Sequence, residues 1–122
     1  MDQQTKVADL KSEIQRFCED RDWDKFHSAK DLAIGLITEA SELLELFRFK
    51  SDSEVDALLL NPEKKTSVRH ELADTLFFVL RFAQLYEIDL SSALREKMEL
   101  NGKRYPVEQA KGNNRKYTEL KQ

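Results

Sequence analysis

Apolar residues recur at helical spacing along nearly the whole chain, and strict apolar–polar alternation persists nowhere. Val7, Leu10, Ile14 and Phe17 mark one side of a first helix over about Lys6 to Asp20. A polar stretch with Trp23 and Phe26 follows, and Ser28 is placed to cap a second helix from about Ala29 to Phe49. Ser51 to Leu60 reads as a connector with room for one short turn of helix. Asn61-Pro62 puts a capping side chain before a proline in the first turn, opening a long helix to Leu85. Asp89 or Ser91 caps a last helix ending near Tyr105-Pro106, and the residues around Gly112-Asn113-Asn114 read as an extended tail. Three glycines and two prolines leave little punctuation for a sheet. The expectation is an all-α chain of four main helices. It forms a single domain over residues 1–122, with a helical core at about 6–105 and a basic tail at about 106–122.

Two acidic motifs interrupt the apolar stripes. Glu39-Ala-Ser-Glu42 lies on the second helix and Glu71-Leu-Ala-Asp74 on the long one, with 28 residues between Glu42 and Glu71. At about 100° per residue, Glu39 shares its face with Leu32, Leu36, Leu43 and Leu46, and Glu42 sits at the edge of that stripe. Glu71 falls among Val68, Phe78, Phe82 and Leu85, with Asp74 at the edge. A buried carboxylate costs several kcal/mol or more unless it is paired or bound to metal. Four converging carboxylates also repel one another. A divalent cation offsets both costs, and hard oxygen ligands without thiolate or imidazole favour Mg²⁺, with Mn²⁺ as a substitute. In a chain with 35% charged residues, one Glu-x-x-Glu on a helix is most simply a solvated face. Two such motifs, each centred on an apolar stripe, reverse that preference. Glu45, in the overlapping Glu42-Leu-Leu-Glu45, falls on the polar side. Arg81 lies two turns past Asp74 on the same helix as the second motif.

The net charge of −3 argues against nucleic-acid polymers as partners. The average conceals an asymmetry: residues 1–94 carry 12 basic and 19 acidic side chains, residues 95–122 carry 8 and 4. A single cysteine excludes an internal disulfide framework. With no signal peptide and no long apolar run, a cytoplasmic protein free of the membrane is expected.

Lys97, Asn101 and Arg104 share one face of the last helix, where two cations and an amide could grip phosphate oxygens. A solvated, dipole-favoured helix end is an equal reading. Aromatic rings stack on nucleobases. Phe26 and Phe78 read as core at their spacing, whereas Trp23, within Arg21-Asp22-Trp23-Asp24, reads more readily as functional. His27 reads as a capping or surface residue. Metal, phosphate grip and base platform together describe a nucleotide hydrolase, since phosphoanhydride cleavage asks for charge neutralisation and an in-line water. No P-loop or GxGxxG supplies another phosphate cradle. A di-iron bundle would want Glu-x-x-His pairs, and neither His27 nor His70 has a Glu three residues before it. The alternative of a different class is a non-enzymatic helical oligomerisation or adaptor module with a structural or vestigial metal site.

The pattern Glu-x-x-Glu, spacer, Glu-x-x-Asp resembles that of the MazG-like all-α nucleoside triphosphate pyrophosphohydrolases. The stretches Arg21-Asp22-Trp23, Phe26-His27, Leu46-Phe47, Lys97-Met98, Asn101 through Arg104-Tyr105-Pro106 and Arg115 through Leu120 are similar to the dCTP pyrophosphatase-like branch. The resemblance spans roughly residues 10 to 120. It implies Mg²⁺-dependent hydrolysis of a (deoxy)nucleoside triphosphate, dCTP-like by preference, to monophosphate and pyrophosphate, a nucleotide house-cleaning activity. It also implies four-helix-bundle-like protomers assembled as a dimer of dimers. Carried over by position, Glu39, Glu42, Glu71 and Asp74 hold the metal, and Trp23 lines the base and sugar pocket. His27, Phe49 and Phe78 take further substrate-facing positions, and Lys97, Asn101 and Arg104 face the phosphates or the base. The chain departs from the branch where Phe49 stands for a Trp, Ile14 for a His that can contact the nucleotide, and Phe78 for a Tyr. A pocket with fewer polar contacts discriminates less between bases.

Overall fold

Each main helix starts where a side chain satisfies its first free amides. The computed structural model describes residues 1–120, and among them there are helices and turns but no strand. Helix α1 spans Val7–Asp20, its start held by the Asp9 carboxylate accepting from the Lys6 amide at 2.9 Å. Helix α2 spans Ala29–Glu45, with Ser28 Oγ accepting from the Asp31 amide. Helix α3 spans Asp52–Leu60, and helix α4 spans Pro62–Leu85. Asn61 Oδ1 accepts from the amides of Glu63 and Lys64, and Pro62 occupies the first turn of α4, where no amide is needed. Helix α5 spans Leu90–Arg104, capped by Asp89 Oδ1 on the Ser92 amide at 2.8 Å. A short α6 at Val107–Ala110 and 3₁₀ turns at Asp24–Phe26 and Tyr117–Glu119 complete the described elements.

Four expectations are corrected. The stretch 51–60 is a full helix, because Ser51 and Glu54 form a reciprocal capping box with two 3.2 Å hydrogen bonds. Helix α2 stops at Glu45 rather than Phe49: Leu46 and Phe47 close tighter turns onto Leu43 and Leu44, and Phe49 is left-handed at φ 63°. Phe26 is exposed rather than core, since the 3₁₀ turn that carries it ends before any helix covers the ring. The region beyond 106 is not extended throughout, because α6 and the last 3₁₀ turn fold within it.

The chain forms two compact units, one over Met1–Ile88 and one that begins at Asp89. In the first, α1, α2 and α3 all pack on α4, which is therefore the central element. Its core is small, with Cys18, Leu32, Val68, Leu80 and Ala83 buried beside the fully buried Arg81. Gly35 sets the spacing of the α2–α4 pair. A Cβ at this position would overlap the ring of Phe78, so the aromatic ring lies directly on the helix backbone. In the second unit, Tyr105 meets Tyr117 edge-on at 6.3 Å, and the Arg104 guanidinium lies over the Tyr117 ring at 4.8 Å.

Gly35→Ala should therefore lower stability by about 1–3 kcal/mol, the usual cost of overpacking a fitted core. Gly102, inside α5 with nothing near the position of its missing Cβ, is the control. Gly102→Ala should hold or raise stability by about 0.5–1 kcal/mol. Denaturant melts of the two variants check both signs.

Candidate metal and nucleotide site

The close seam at Gly35 and Phe78 fixes what lies along it. Glu39 stands one turn after Gly35 on α2, and Glu71 two turns before Phe78 on α4. The helices run antiparallel here, so Glu39 and Glu42 come level with Glu71 and Asp74. Oxygen atoms of Glu39, Glu42 and Glu71 all lie within 4.8 Å of one another. Asp74 is exposed and outside that trio, but close enough for its charge to act on Glu39 and Glu71. Glu45 lies outside the trio and pairs with Arg48 at 3.5 Å.

Two atoms make the cluster more than a solvated acidic face. Oε2 of Glu39 and Oε2 of Glu71 are both buried with no hydrogen-bond partner. Such an orphan acceptor costs about 1–3 kcal/mol, and more when charged. Desolvation pushes the Glu39 carboxyl up to about 7, helped by a hydrogen bond with Glu42 and by the charges of Glu42, Asp74 and Glu71. The Glu71 carboxyl is raised by desolvation, then by Glu42 and Asp74, while His70 opposes the shift. Burial and like-charge crowding both favour the protonated forms, so the metal-free cluster holds its protons more tightly than free carboxyls do. The donor set is all oxygen and fits a hard divalent cation, which would give both orphan atoms a partner.

Arg81 does not relieve this crowding. Its guanidinium is fully buried and spends its donors elsewhere: Nε to His27 Nδ1 at 3.0 Å, Nη1 to Gln84 Oε1 at 2.6 Å, and Nη2 to Asp24 Oδ1. That network ties the 3₁₀ turn onto α4. It also corrects the reading of His27, which is half-buried with Nδ1 committed to Arg81 rather than capping a helix; only Nε2 remains for a ligand. Burial and Arg81 together lower the His27 pKa. The tethered turn follows Trp23, whose apolar neighbour comes from α1: Trp23 meets Phe17 edge-on at 5.6 Å. Phe17 meets Phe77 at 6.2 Å, and Phe77 meets Phe78 at 5.4 Å. A cleft of about 250 Å³ lined by Glu13, Ile14, Phe17 and Phe77 opens beside these rings.

The other candidate residues are less concentrated. Phe78 fills the α2–α4 seam, so it offers shape rather than a polar contact. Phe49 is 91% exposed, with the Arg48 guanidinium against its ring at 4.5 Å. Lys97, Asn101 and Arg104 share a face of α5 in the second unit, with Lys97 exposed and Asn101 half-buried. Two features escaped the sequence reading. The tether of His27 to Arg81 had a signal, an arginine inside an apolar helical stripe; the Gly35–Phe78 seam had none beyond a glycine in mid-helix.

Residues 34–120 match the MazG-like family, a span that includes all four acids of the two motifs. The chain belongs to the MazG-like family. Dissimilar organisms supply its relatives. The human protein named dCTP pyrophosphatase 1 is 36% identical over 114 residues, covering 93% of this chain and 67% of that protein. The bovine protein of the same name is 35% identical over 114 residues, covering 93% and 68%. A crystal structure of a pyrophosphatase from Archaeoglobus fulgidus superposes with a TM-score of 0.77 at 34% identity, covering 82% of this chain and 92% of the other. Within the family the chain falls in the dCTP pyrophosphatase-like branch, a set of nucleoside triphosphate pyrophosphatases, and the non-enzymatic adaptor reading gives way. Among the described residues no helix is long and apolar enough to cross a membrane.

The raised carboxyls have a consequence for stability in the absence of metal. The Glu39 carboxyl titrates at about 7 when folded against an ordinary 4.5, so the folded state holds its proton more tightly. Its contribution is fully present below the unfolded pKa and is lost as pH rises through the folded one. Glu71 acts in the same direction. His27, with its lowered pKa, works in the opposite sense as acid protonates it. In chelator, the melting temperature should therefore fall between about pH 5 and 8 by more in the wild type than in Glu39→Gln. A saturating divalent cation should flatten that difference, because it replaces the protons. Thermal melts across the pH range, with and without cation, read all three arms.

Proposed function

We propose that the chain hydrolyses a (deoxy)nucleoside triphosphate, with dCTP-like substrates preferred, to the monophosphate and pyrophosphate in a Mg²⁺-dependent reaction. The observation that carries this reading is the pair of buried, unpartnered carboxylate oxygens on Glu39 and Glu71, beside Glu42 and within the field of Asp74. When bound there, Mg²⁺ supplies charge neutralisation for phosphate oxygens and makes water more acidic; Mn²⁺ can substitute. The protein's own work is then positional. Glu39, Glu42, Glu71 and Asp74 hold the cation, and a carboxylate oxygen not used as a ligand accepts the proton of the attacking water. The cleft beside Ile14, Phe17 and Phe77 receives the base, with Trp23 at its rim and the Nε2 edge of His27 as a polar contact. Phe49 and Phe78, the further substrate-facing positions, carry no hydroxyl or indole N–H, which admits other triphosphates beside the dCTP-like ones. Lys97, Asn101 and Arg104 are assigned to the phosphates or the base.

Self-association, as a dimer of dimers, belongs to the same reading. Helix α2 is apolar on two sides: the acids and Leu32 face α4, while Ile34, Ile37 and Leu44 point the other way and are 51%, 68% and 65% exposed. A helix that is apolar all round is ordinarily a buried one. A second copy of the chain is the partner that covers this face and restores that state. Each side chain so covered contributes about 1.5–3 kcal/mol.

Incubation with a panel of nucleoside triphosphates and Mg²⁺, with products separated by chromatography, tests the reaction. Monophosphate plus pyrophosphate is expected; diphosphate plus orthophosphate throughout would reject it. Glu39→Gln and Glu71→Gln should each abolish turnover while the metal-free melting temperature holds or rises, because like-charge crowding is relieved.

For assembly, Ile37→Glu should lower the solution mass measured by light scattering toward that of a single chain. Wild-type mass retained in that variant would remove this face from the interface.

A further inference from the structure

The α2–α4 seam continues past the acids toward the start of α4. There a second cleft of about 250 Å³ is lined by Glu45, Leu46, Lys50, Leu58, Lys64 and Ser67. Lys64, Ser67, Glu71 and Asp74 follow one another at i, i+3, i+7 and i+10, so they form one stripe of α4. On the facing helix, Leu46 stands one turn past Glu42. Cleft and acids therefore adjoin, offset by one turn, or about 6 Å along the axis.

The charges in this cleft are unbalanced. Glu45 pairs with Arg48 at its rim, and among the described residues neither Lys50 nor Lys64 is in a salt bridge. Lys50 acts on Glu54 at longer range. Lys64 lies in the first turn of α4, where the helix dipole favours anions and disfavours an ammonium. An anion in the cleft would meet two ammonium groups and the Ser67 hydroxyl, and would offset both charges at once.

We propose that this cleft binds the pyrophosphate end of the triphosphate, with Lys50 and Lys64 as its cationic contacts and Ser67 as a hydroxyl donor. The assignment rests on the nucleotide reading above and deepens it. It divides the site along the seam: acids at one level for the cation, lysines one turn away for the leaving group. It also means that side chains of the first unit contribute to selectivity for a triphosphate over a monophosphate.

Calorimetry with inorganic pyrophosphate in the presence of Mg²⁺ tests this without requiring turnover. Lys50→Gln and Lys64→Gln should each weaken pyrophosphate binding about tenfold, the worth of one charge-assisted hydrogen bond. Lys64→Arg should retain most of the affinity. Lys65→Gln, which removes a neighbouring charge from a different face of α4, should change little, and thermal melts confirm that each variant is folded. In steady-state assays, the same two glutamine variants should raise KM for the triphosphate and the pyrophosphate inhibition constant, leaving inhibition by the monophosphate unchanged. Equal pyrophosphate affinity in all the folded variants would overturn the subsite even if wild-type protein cleaves triphosphates. Lysine-dependent pyrophosphate binding in a protein that cleaves no triphosphate would keep the subsite and reject the proposed reaction.

Discussion

Like-charge repulsion between α2 and α4 is the constraint around which the first unit is arranged. Glu39, Glu42 and Glu71 bring oxygens within 4.8 Å of one another, and Asp74 adds its charge from the edge. Left to itself, that repulsion would part the two helices. The opposing force lies one to two turns away, where the Phe78 ring sits on the bare backbone at Gly35. Close packing there keeps the two helix backbones together at the level of the acids. The carboxylates respond by retaining protons, which accounts for the raised Glu39 and Glu71 carboxyls. A cation and a proton thus compete for the same oxygens, so stability, pH and metal occupancy are coupled through one cluster.

The opposite end of α4 handles charge in another way. Arg81 is fully buried, and each of its three nitrogens donates to a partner, Nε to His27, Nη1 to Gln84 and Nη2 to Asp24. Removing Asp24, its acidic partner, would leave a buried charge unbalanced, which is far costlier than the pair is favourable. The network is best understood as a means of fixing position. It holds the turn after α1 against α4 and so sets where Trp23 and the Phe17 ring stand. The acids are incompletely satisfied and await a ligand; the guanidinium is satisfied and fixes a loop.

How much of this was legible in the sequence depends on whether the signal was local. The caps at Ser28, Asn61 and Asp89 and the apolar periodicity located α1, α2, α4 and α5, because capping and amphipathicity act within a few residues. The same local logic was available at Ser51 and Glu54, where the capping box announces α3. The end of α2 carried no such mark: no glycine or proline follows Glu45, and the left-handed residue is Phe49. That Glu39, Glu42 and Glu71 meet could be inferred from two motifs on two stripes. The Gly35–Phe78 contact that forces them together could not, because a mid-helix glycine does not reveal what approaches it. Nor could the exposure of Ile34, Ile37 and Leu44, since a helix apolar on two faces looks from its pattern like one that is simply buried.

A single stripe of α4 carries most of this chemistry. Lys64, Ser67, Glu71, Asp74, Phe78 and Arg81 alternate by threes and fours along one face, over about 26 Å at 1.5 Å per residue. Their order runs from unpaired cation, through hydroxyl and paired acids, to an aromatic ring and a buried guanidinium. A nucleoside triphosphate has a matching order, from anionic phosphates through the metal-bridged reacting group to an apolar base. A straight helix cannot bend to follow a ligand, so the register between these levels is fixed by the backbone rather than by loops. Fixing it in this way removes much of the reorganisation that would otherwise be required as charge shifts during hydrolysis. On the proposed reading, discrimination between bases falls at the aromatic end, in the cleft lined by Ile14, Phe17, Phe77 and Glu13. On that same reading, α4 contributes the polar chemistry that meets the triphosphate, while the base is met largely by shape.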